Sequence, residues 1–277
     1  MTINAKGDGT TLSAHTGFVV EAIRRIGRPL VADITEPEYE CAVHGAILHD
    51  LGKAHPLFQQ SLKPGWRPPF GKVPHRHEIS SVLFLPLWPE LLWPQLIDMV
   101  IAHHKSIRLS INREPGKGIS DLVAQYGITP VFNRHAANWS DWSPTVDDIL
   151  AEHGVQYRDL SSVEIRAAFD YVHEYCERRP TGRNKWRGLL MAADHLASAL
   201  QGETAGSTSR LFRPPDLTFY HAKAASADAD LYPLASIDTD AAKRHTLVIA
   251  PTGAGKTDFL MRRCHDRRVF YLLPFQA

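Results

Sequence analysis

The stretch Ile47-Leu48-His49-Asp50-Leu51-Gly52-Lys53-Ala54-His55 sets an imidazole beside a carboxylate. One imidazole nitrogen can bind a divalent ion, and the adjoining carboxylate can bridge to a second. The pair closes an apolar, helix-like run that begins at Tyr39. A metal at that point would meet the negative end of a helix dipole, which favours cations. Gly52 falls where a helix C-terminus favours a residue with positive φ. Five further side chains join the pair as candidate ligands: His15, His77, His103, His104 and Asp194. If Asp50 bridges, the set makes eight bonds to two six-coordinate ions, leaving about four positions for water and substrate. Two ions about 3.5–4 Å apart can lower the pKa of a bound water and clamp both oxygens of a phosphoryl displacement.

Each candidate sits where a helix would aim it. Leu12 to Ile26 reads as a helix with Ser13 as its cap and Val19, Ala22, Ile23 and Ile26 as its apolar stripe. His15 lies on that stripe and therefore needs a hydrogen bond or a metal. Pro37 suits the first turn of the next helix, which ends at His49-Asp50. Ala54 to Leu62 reads as one more short helix. His77 opens a helix running to about Leu85, with His75 just outside it. Either histidine is a candidate, and His77 is preferred because a helix fixes its direction. Leu91 to His104 is a strongly apolar helix carrying His103 and His104 at its end.

The stretch from Lys105 to Leu160 is rich in Gly and Pro and reads as a lid or insertion. Short helices are expected there at Ile119–Tyr126 and Thr145–His153, with His135 and His153 as structural residues. Ser161–Arg178 is amphipathic, with Val163, Ala167, Phe169, Tyr171, Val172 and Tyr175 at its core positions. Lys185–Leu200 is a helix whose inner face carries Asp194 between Leu190 and Ala197. A carboxylate among apolar neighbours must be paired, protonated or metal-bound. Ser198 faces the same way one turn on. Between these two helices, Arg178, Arg179, Arg183, Lys185 and Arg187 surround Trp186 with no acid among them. That combination suits a strand of phosphates with a base stacked on the indole.

Composition narrows the class. The chain has 277 residues, 44% hydrophobic and 22% charged, as in globular proteins. A net charge of +1 gives no global attraction to nucleic acid, so any such binding uses local patches. Fifteen histidines point to metal or acid–base chemistry. Three cysteines without metal spacing suit reduced thiols in the cytoplasm. The apolar stretch Val82–Ile101 contains Pro86, Pro89, Glu90, Pro94 and Asp98, which excludes a membrane span.

After Leu200 the composition turns Gly-, Ser- and Ala-rich. A linker is read at 203–245, after a first domain at 1–202. Thr246–Ile249 reads as a buried strand leading into Ala250-Pro251-Thr252-Gly253-Ala254-Gly255-Lys256-Thr257. This resembles a P-loop. In that motif Gly253 and Gly255 free the backbone to cradle phosphates, Lys256 reaches their oxygens, and Thr257 binds Mg²⁺. Ala250 replaces the first glycine of the strict pattern. A helix at Asp258–Arg268 and a second strand at Val269–Leu273 complete the context. Residues 246–277 thus read as the start of a RecA-like lobe.

The series His15, His49-Asp50 with Gly52-Lys53, His77-Glu78, His103-His104 and Asp194 with Ser198 resembles the HD superfamily of metal-dependent phosphohydrolases. With a P-loop behind it, the chain resembles the helicase-nuclease effector of type I CRISPR interference. The resemblance implies a mostly α HD domain followed by a truncated α/β segment. It implies a two-metal nuclease cutting single-stranded DNA in the cytoplasm beside an RNA-guided surveillance complex. It implies one ion on His15, His49, Asp50 and Asp194, and the other on Asp50, His77, His103 and His104. Lys53 and Ser198 would help place the scissile phosphate. Five imidazoles favour Mn²⁺, Fe²⁺, Co²⁺ or Ni²⁺ over Mg²⁺. ATP-Mg would serve only a complete helicase, and neither ATPase nor helicase activity is expected from these 277 residues, which carry no Walker B motif or second lobe. The competing readings are an HD-type nucleotide phosphohydrolase and a non-catalytic docking module. The cationic run and the P-loop weigh against the first, and the intact ligand set against the second.

Overall fold

The computed structural model describes residues 2–67, 75–104, 118–178, 184–208, 216–226, 232–239 and 246–264. The chain forms two compact units, residues 1–209 and 210–277. Among the described residues every regular element is a helix, and the one β-type pairing is a bridge between Asn4 and Thr11.

In the first unit, α1 spans Leu12–Leu30. Its cap is Thr11, whose hydroxyl accepts from the Ala14 N–H at 3.2 Å. Ser13, the expected cap, instead donates to Glu152 at 2.7 Å. The stripe Val19, Ala22, Ile23 and Ile26 is wholly buried. α2 spans Glu36–Leu48 with Pro37 in its first turn. Glu38 reaches back to the Thr35 N–H at 2.9 Å, half of a capping box. α3 covers Pro56–Ser61 and α4 only His77–Ser81. Beyond α4 the chain tightens into a 3₁₀ turn, Val82–Leu87, that carries Pro86. The Pro86 ring crowds the carbonyl four residues back, that of Val82, and disfavours α-helical angles at Leu85, so the expected α-helix to Leu85 gives way to 3₁₀ geometry. α5 covers Trp93–Val100, shorter than expected, with Pro94 in its first turn.

α6 (Ile119–Tyr126) and α7 (Ile128–His135) follow, then α8 (Trp139–Trp142) and α9 (Asp147–Glu152). α7 and α8 were not expected. The described part of this region is packed rather than lid-like. Trp142 is 3% exposed, and its ring meets both Phe84 and His55. α10 spans Ser162–Arg178 and α11 Lys185–Leu200, both within a residue of expectation. The inner face of α10 is turned from the expected one. Ile165, Ala168, Phe169, Val172 and Cys176 are buried, whereas Val163 is 75% exposed. α12 (Thr204–Thr208) packs back onto α1.

α1 is the hub, packing on both α2 and α11, while α5 packs on α2 and α11. Gly45 permits the α2–α5 approach, because a Cβ there would overlap the Met99 sulfur.

The second unit contains α13 (Thr218–Ser226) and α14 (Lys256–Arg262). Its small core is Leu234, Ala254 and Phe259 with Val248 and Ala250 against them. Thr246–Ile249 carries no strand, and Leu247 and Ile249 are 85% and 87% exposed. A strand needs a partner for its backbone groups, and none is present among the described residues. Residues 269–273, the expected second strand, lie outside them. The expected α/β character is therefore not seen among the described residues.

Candidate metal centre

Three helix ends, those of α2, α4 and α5, and residues within α1 and α11 converge on one carboxylate. α2 ends at Leu48 and His49 still holds helical angles. Asp50 then breaks the helix (φ −114°, ψ 2°), and the chain enters a 3₁₀ turn, Leu51–Ala54. Gly52 does not have positive φ. Its role is close approach: a Cβ there would collide with the His77 carbonyl and lie 2.6 Å from the Ser81 nitrogen. Gly52 thus lets α4 press against the turn that carries Asp50.

The two Asp50 oxygens face different histidines. Oδ2 lies 3.2 Å from His15 Nε2 and 3.1 Å from His49 Nε2. Oδ1 lies 3.1 Å from His77 Nε2 and 3.8 Å from His103 Nε2. His15 Nε2 also lies 3.2 Å from Asp194 Oδ1, which accepts from Ser198 Oγ at 3.3 Å. The potential ligand atoms form two groups: Asp50, His77, His103 and His104, and His15, His49 and Asp194. Within each group the atoms lie within 4.8 Å of one another. Of the seven residues only His104 is exposed. Lys53 is buried and places Nζ 2.6 Å from Asp50 Oδ2.

Tautomers follow from the backbone. His49 Nδ1 sits 2.6 Å from the Ala46 carbonyl, and His103 Nδ1 2.6 Å from that of Val100. A carbonyl only accepts, so each Nδ1 must carry a proton, and in the neutral ring Nε2 presents a bare lone pair to the centre. Among the buried side-chain atoms without a hydrogen-bond partner are Nε2 of His15, His49, His77 and His103 and both Asp50 oxygens. Lys53 is close to Oδ2, but not in hydrogen-bond geometry. Lone pairs facing one another in a buried site are destabilising unless a cation lies among them. The arrangement fits two divalent ions.

The rings differ in their electrostatics: despite burial, facing carboxylates raise His15 and His103 above the usual imidazole value. Burial pushes the Asp50 pKa upward, but His49, Lys53, His103 and His15 outweigh it and hold the carboxyl well below its ordinary value. Asp194 is likewise lowered, as contacts to His15 and His49 outweigh burial. Burial keeps His49 below its usual pKa despite Asp50. His104 is exposed as a residue, yet partial desolvation of its ring and the neighbouring His103 and His77 push it down to about 4. Both are therefore neutral, metal-competent bases at pH 7.

The remaining sequence candidates are placed less uniformly. Arg178 is exposed and pairs with Glu174 at 2.7 Å. Arg179 and Arg183 lie outside the described residues. Lys185 approaches Glu38 at 3.6 Å and sits 4.5 Å from the Trp186 ring centroid. Trp186 is 9% exposed, so its ring packs inward instead of offering a free stacking face. Arg187 is half-buried. In the second unit Gly253 (φ 88°) and Gly255 (φ 85°) shape a turn into α14. Lys256 Nζ donates to the Ala250 and Pro251 carbonyls at 2.7 Å each, and Thr257 follows in the first helical turn.

Two features escaped the sequence. Ser81 is fully buried between the His49 carbonyl and the Gly52 N–H. Its only sequence signal is its place four residues after His77. The second is a histidine cluster. His55 stacks on His75 at 4.1 Å and His75 meets His135 at 4.6 Å. Ser80 Oγ lies 2.9 Å from both His75 Nε2 and His135 Nδ1.

An all-helical unit whose helix ends gather paired His and Asp ligands defines the class of HD metal-binding domains. The chain matches the family described as Cas3, HD domain, over residues 21–201, well over half its length. It belongs to that family, the nuclease domain of the type I CRISPR Cas3 effector. The family implies a metal-dependent phosphohydrolase or nuclease in a CRISPR defence context. No curated protein and no solved structure matches the chain.

Proposed function

We propose that the first unit hydrolyses phosphodiester bonds of single-stranded DNA, as an endonuclease or exonuclease, at a two-metal centre built on Asp50. The supporting observation is the divided carboxylate, with Oδ2 toward His15 and His49 and Oδ1 toward His77 and His103. One ion would be held by His15, His49, Asp50 and Asp194, the other by Asp50, His77, His103 and His104. Bound there, the ions would supply positive charge to phosphoryl oxygens and acidify a water. Lys53 offers an ammonium beside Asp50 for the scissile phosphate, and Ser198 orients Asp194. Imidazole-rich ligation favours Mn²⁺, Fe²⁺, Co²⁺ or Ni²⁺ over Mg²⁺.

Residues 1–202 form the nuclease domain in this reading, 203–245 a linker, and 246–277 the start of a RecA-like helicase lobe. Gly253, Gly255, Lys256 and Thr257 would serve ATP-Mg in a complete helicase. Arg178, Arg179, Arg183, Lys185 and Arg187 would track the DNA backbone, with the buried Trp186 anchoring the helix that carries Lys185 and Arg187. The partners are single-stranded DNA and a type I CRISPR RNA-guided surveillance complex, in the cytoplasm. Among the described residues no helix is long and apolar enough to cross a membrane.

The test is a time course on single-stranded DNA and on mononucleotides with Mn²⁺, Co²⁺, Ni²⁺, Fe²⁺ or Mg²⁺. Metal-dependent cutting of DNA with mononucleotides untouched is expected. Turnover of mononucleotides alone would move the reading to a nucleotide phosphohydrolase. No turnover of either would leave a docking module.

A further inference from the structure

We propose that Ser81 is a positioning residue that sets the span between the two metal groups. It rests on the reading of a two-metal centre and names the device that spaces it. The Asp50 carboxylate belongs to the turn after α2, whereas His77 belongs to α4. Distant in sequence, these segments must be held in register if one carboxylate is to face both ligand groups. Ser81 Oγ accepts from the Gly52 N–H at 2.8 Å and donates to the His49 carbonyl at 2.8 Å. The two bonds grip the backbone on either side of Asp50. A hydroxyl has one proton and two lone pairs, so one serine can make both bonds at once.

Three observations separate this from ordinary packing. The His49 carbonyl lies at the end of α2, where carbonyls lack helical partners, so Ser81 satisfies a group that burial would otherwise strand. Gly52 has no side chain, and any Cβ there would collide with the same helix. Ser81 also lies one helical turn after His77, so the clamp and a ligand share one short rigid element. Shifting this contact by a few tenths of an ångström would move Asp50 Oδ1 against His77 and His103 without touching either ligand. Groups that orient metal ligands typically change affinity by about ten- to a hundredfold when removed.

The adjacent serine supplies the control. Ser80 is equally buried, but its hydroxyl faces His75 and His135 rather than the Asp50 turn. Ser81→Ala, Ser81→Cys and Ser80→Ala would be compared with the full chain by calorimetric titration of Mn²⁺ and by thermal unfolding. Cysteine keeps the volume while replacing both strong hydrogen bonds, and serves if the alanine variant does not fold. Mn²⁺ binding weakened roughly tenfold or more in the Ser81 variants is expected, with Ser80→Ala within about twofold of the parent. Loss of stability in Ser80→Ala without loss of Mn²⁺ affinity would mark the two roles as distinct. Parental affinity in a folded Ser81 variant, or equal losses in both serine variants, overturns the clamp and leaves the metal centre standing. A parent that binds no Mn²⁺ overturns the metal centre itself, and the clamp with it.

Discussion

Two groups of buried histidines lie in the same unit and differ in their partners. His15, His49, His77 and His103 surround Asp50 and point their Nε2 atoms at it. His55, His75 and His135 stack on one another around the Ser80 hydroxyl. The first group gathers imidazole nitrogens around an ionised carboxylate, an arrangement suited to binding cations. The second forms a neutral stack: burial and neighbouring positive groups push His55 down to about 4 and hold His75 and His135 well below their usual pKa. Histidine count therefore does not identify a metal centre. The carboxylate among the rings does.

The comparison breaks most directly at Asp50. Asp50→Asn keeps the shape and removes the charge. DNA cleavage should fall to background and metal retention should drop, read by a nuclease assay and elemental analysis. A variant with parental rate and metal content would put Asp50 outside the chemistry.

Gly52→Ala should act through folding. The added methyl strikes the backbone of α4, which cannot give way like a flexible side chain. A loss of about 3 kcal/mol is expected, lowering Tm by roughly 10 °C. Gly45→Ala should cost less, since the obstructing Met99 can repack. Equal Tm shifts in the two variants would count against this distinction.

Acid should sharpen the contrast between the groups. For His55, the folded pKa lies below the unfolded value of about 6.5, so the unfolded chain binds more protons between about pH 6.5 and 4. Its stabilisation is complete above the unfolded pKa and is lost as pH falls toward the folded one. Thermal unfolding of the metal-free protein should show that loss, and His55→Phe should flatten the slope. An unchanged slope in that variant would contradict a neutral stack.

The smallest effect should come from the second unit. Every candidate metal ligand precedes residue 210, so Lys256→Ala should leave single-stranded DNA cleavage within about twofold of the parent. A large loss would tie the turn at Gly253–Thr257 to the nuclease chemistry.

Much of the helical frame was legible because it follows local rules. α10 and α11 are bounded by caps and apolar periodicity, and α2 ends at the expected pair. The candidate ligands could be named because polar groups on apolar faces and at helix ends stand out. What they do with Asp50 is a matter of distance, and sequence carries little of that. Gly52 looked like a helix terminator yet serves close packing, since the His77 carbonyl is near only in space. Ser81 gave no signal beyond its spacing from His77, because both its partners lie about thirty residues away. His55, His75 and His135 were spread over 80 residues before folding stacked them. Trp186 was read as a base platform from its cationic neighbours, but its inward face belongs to the core of α11.

The account's central claim is that one carboxylate joins two metal groups. The most direct measurement is the number of Mn²⁺ ions bound per chain at equilibrium, in the parent and in Asp50→Asn. Two ions in the parent and at most one in the variant are predicted. One ion or none in the parent, or two in both proteins, would contradict it.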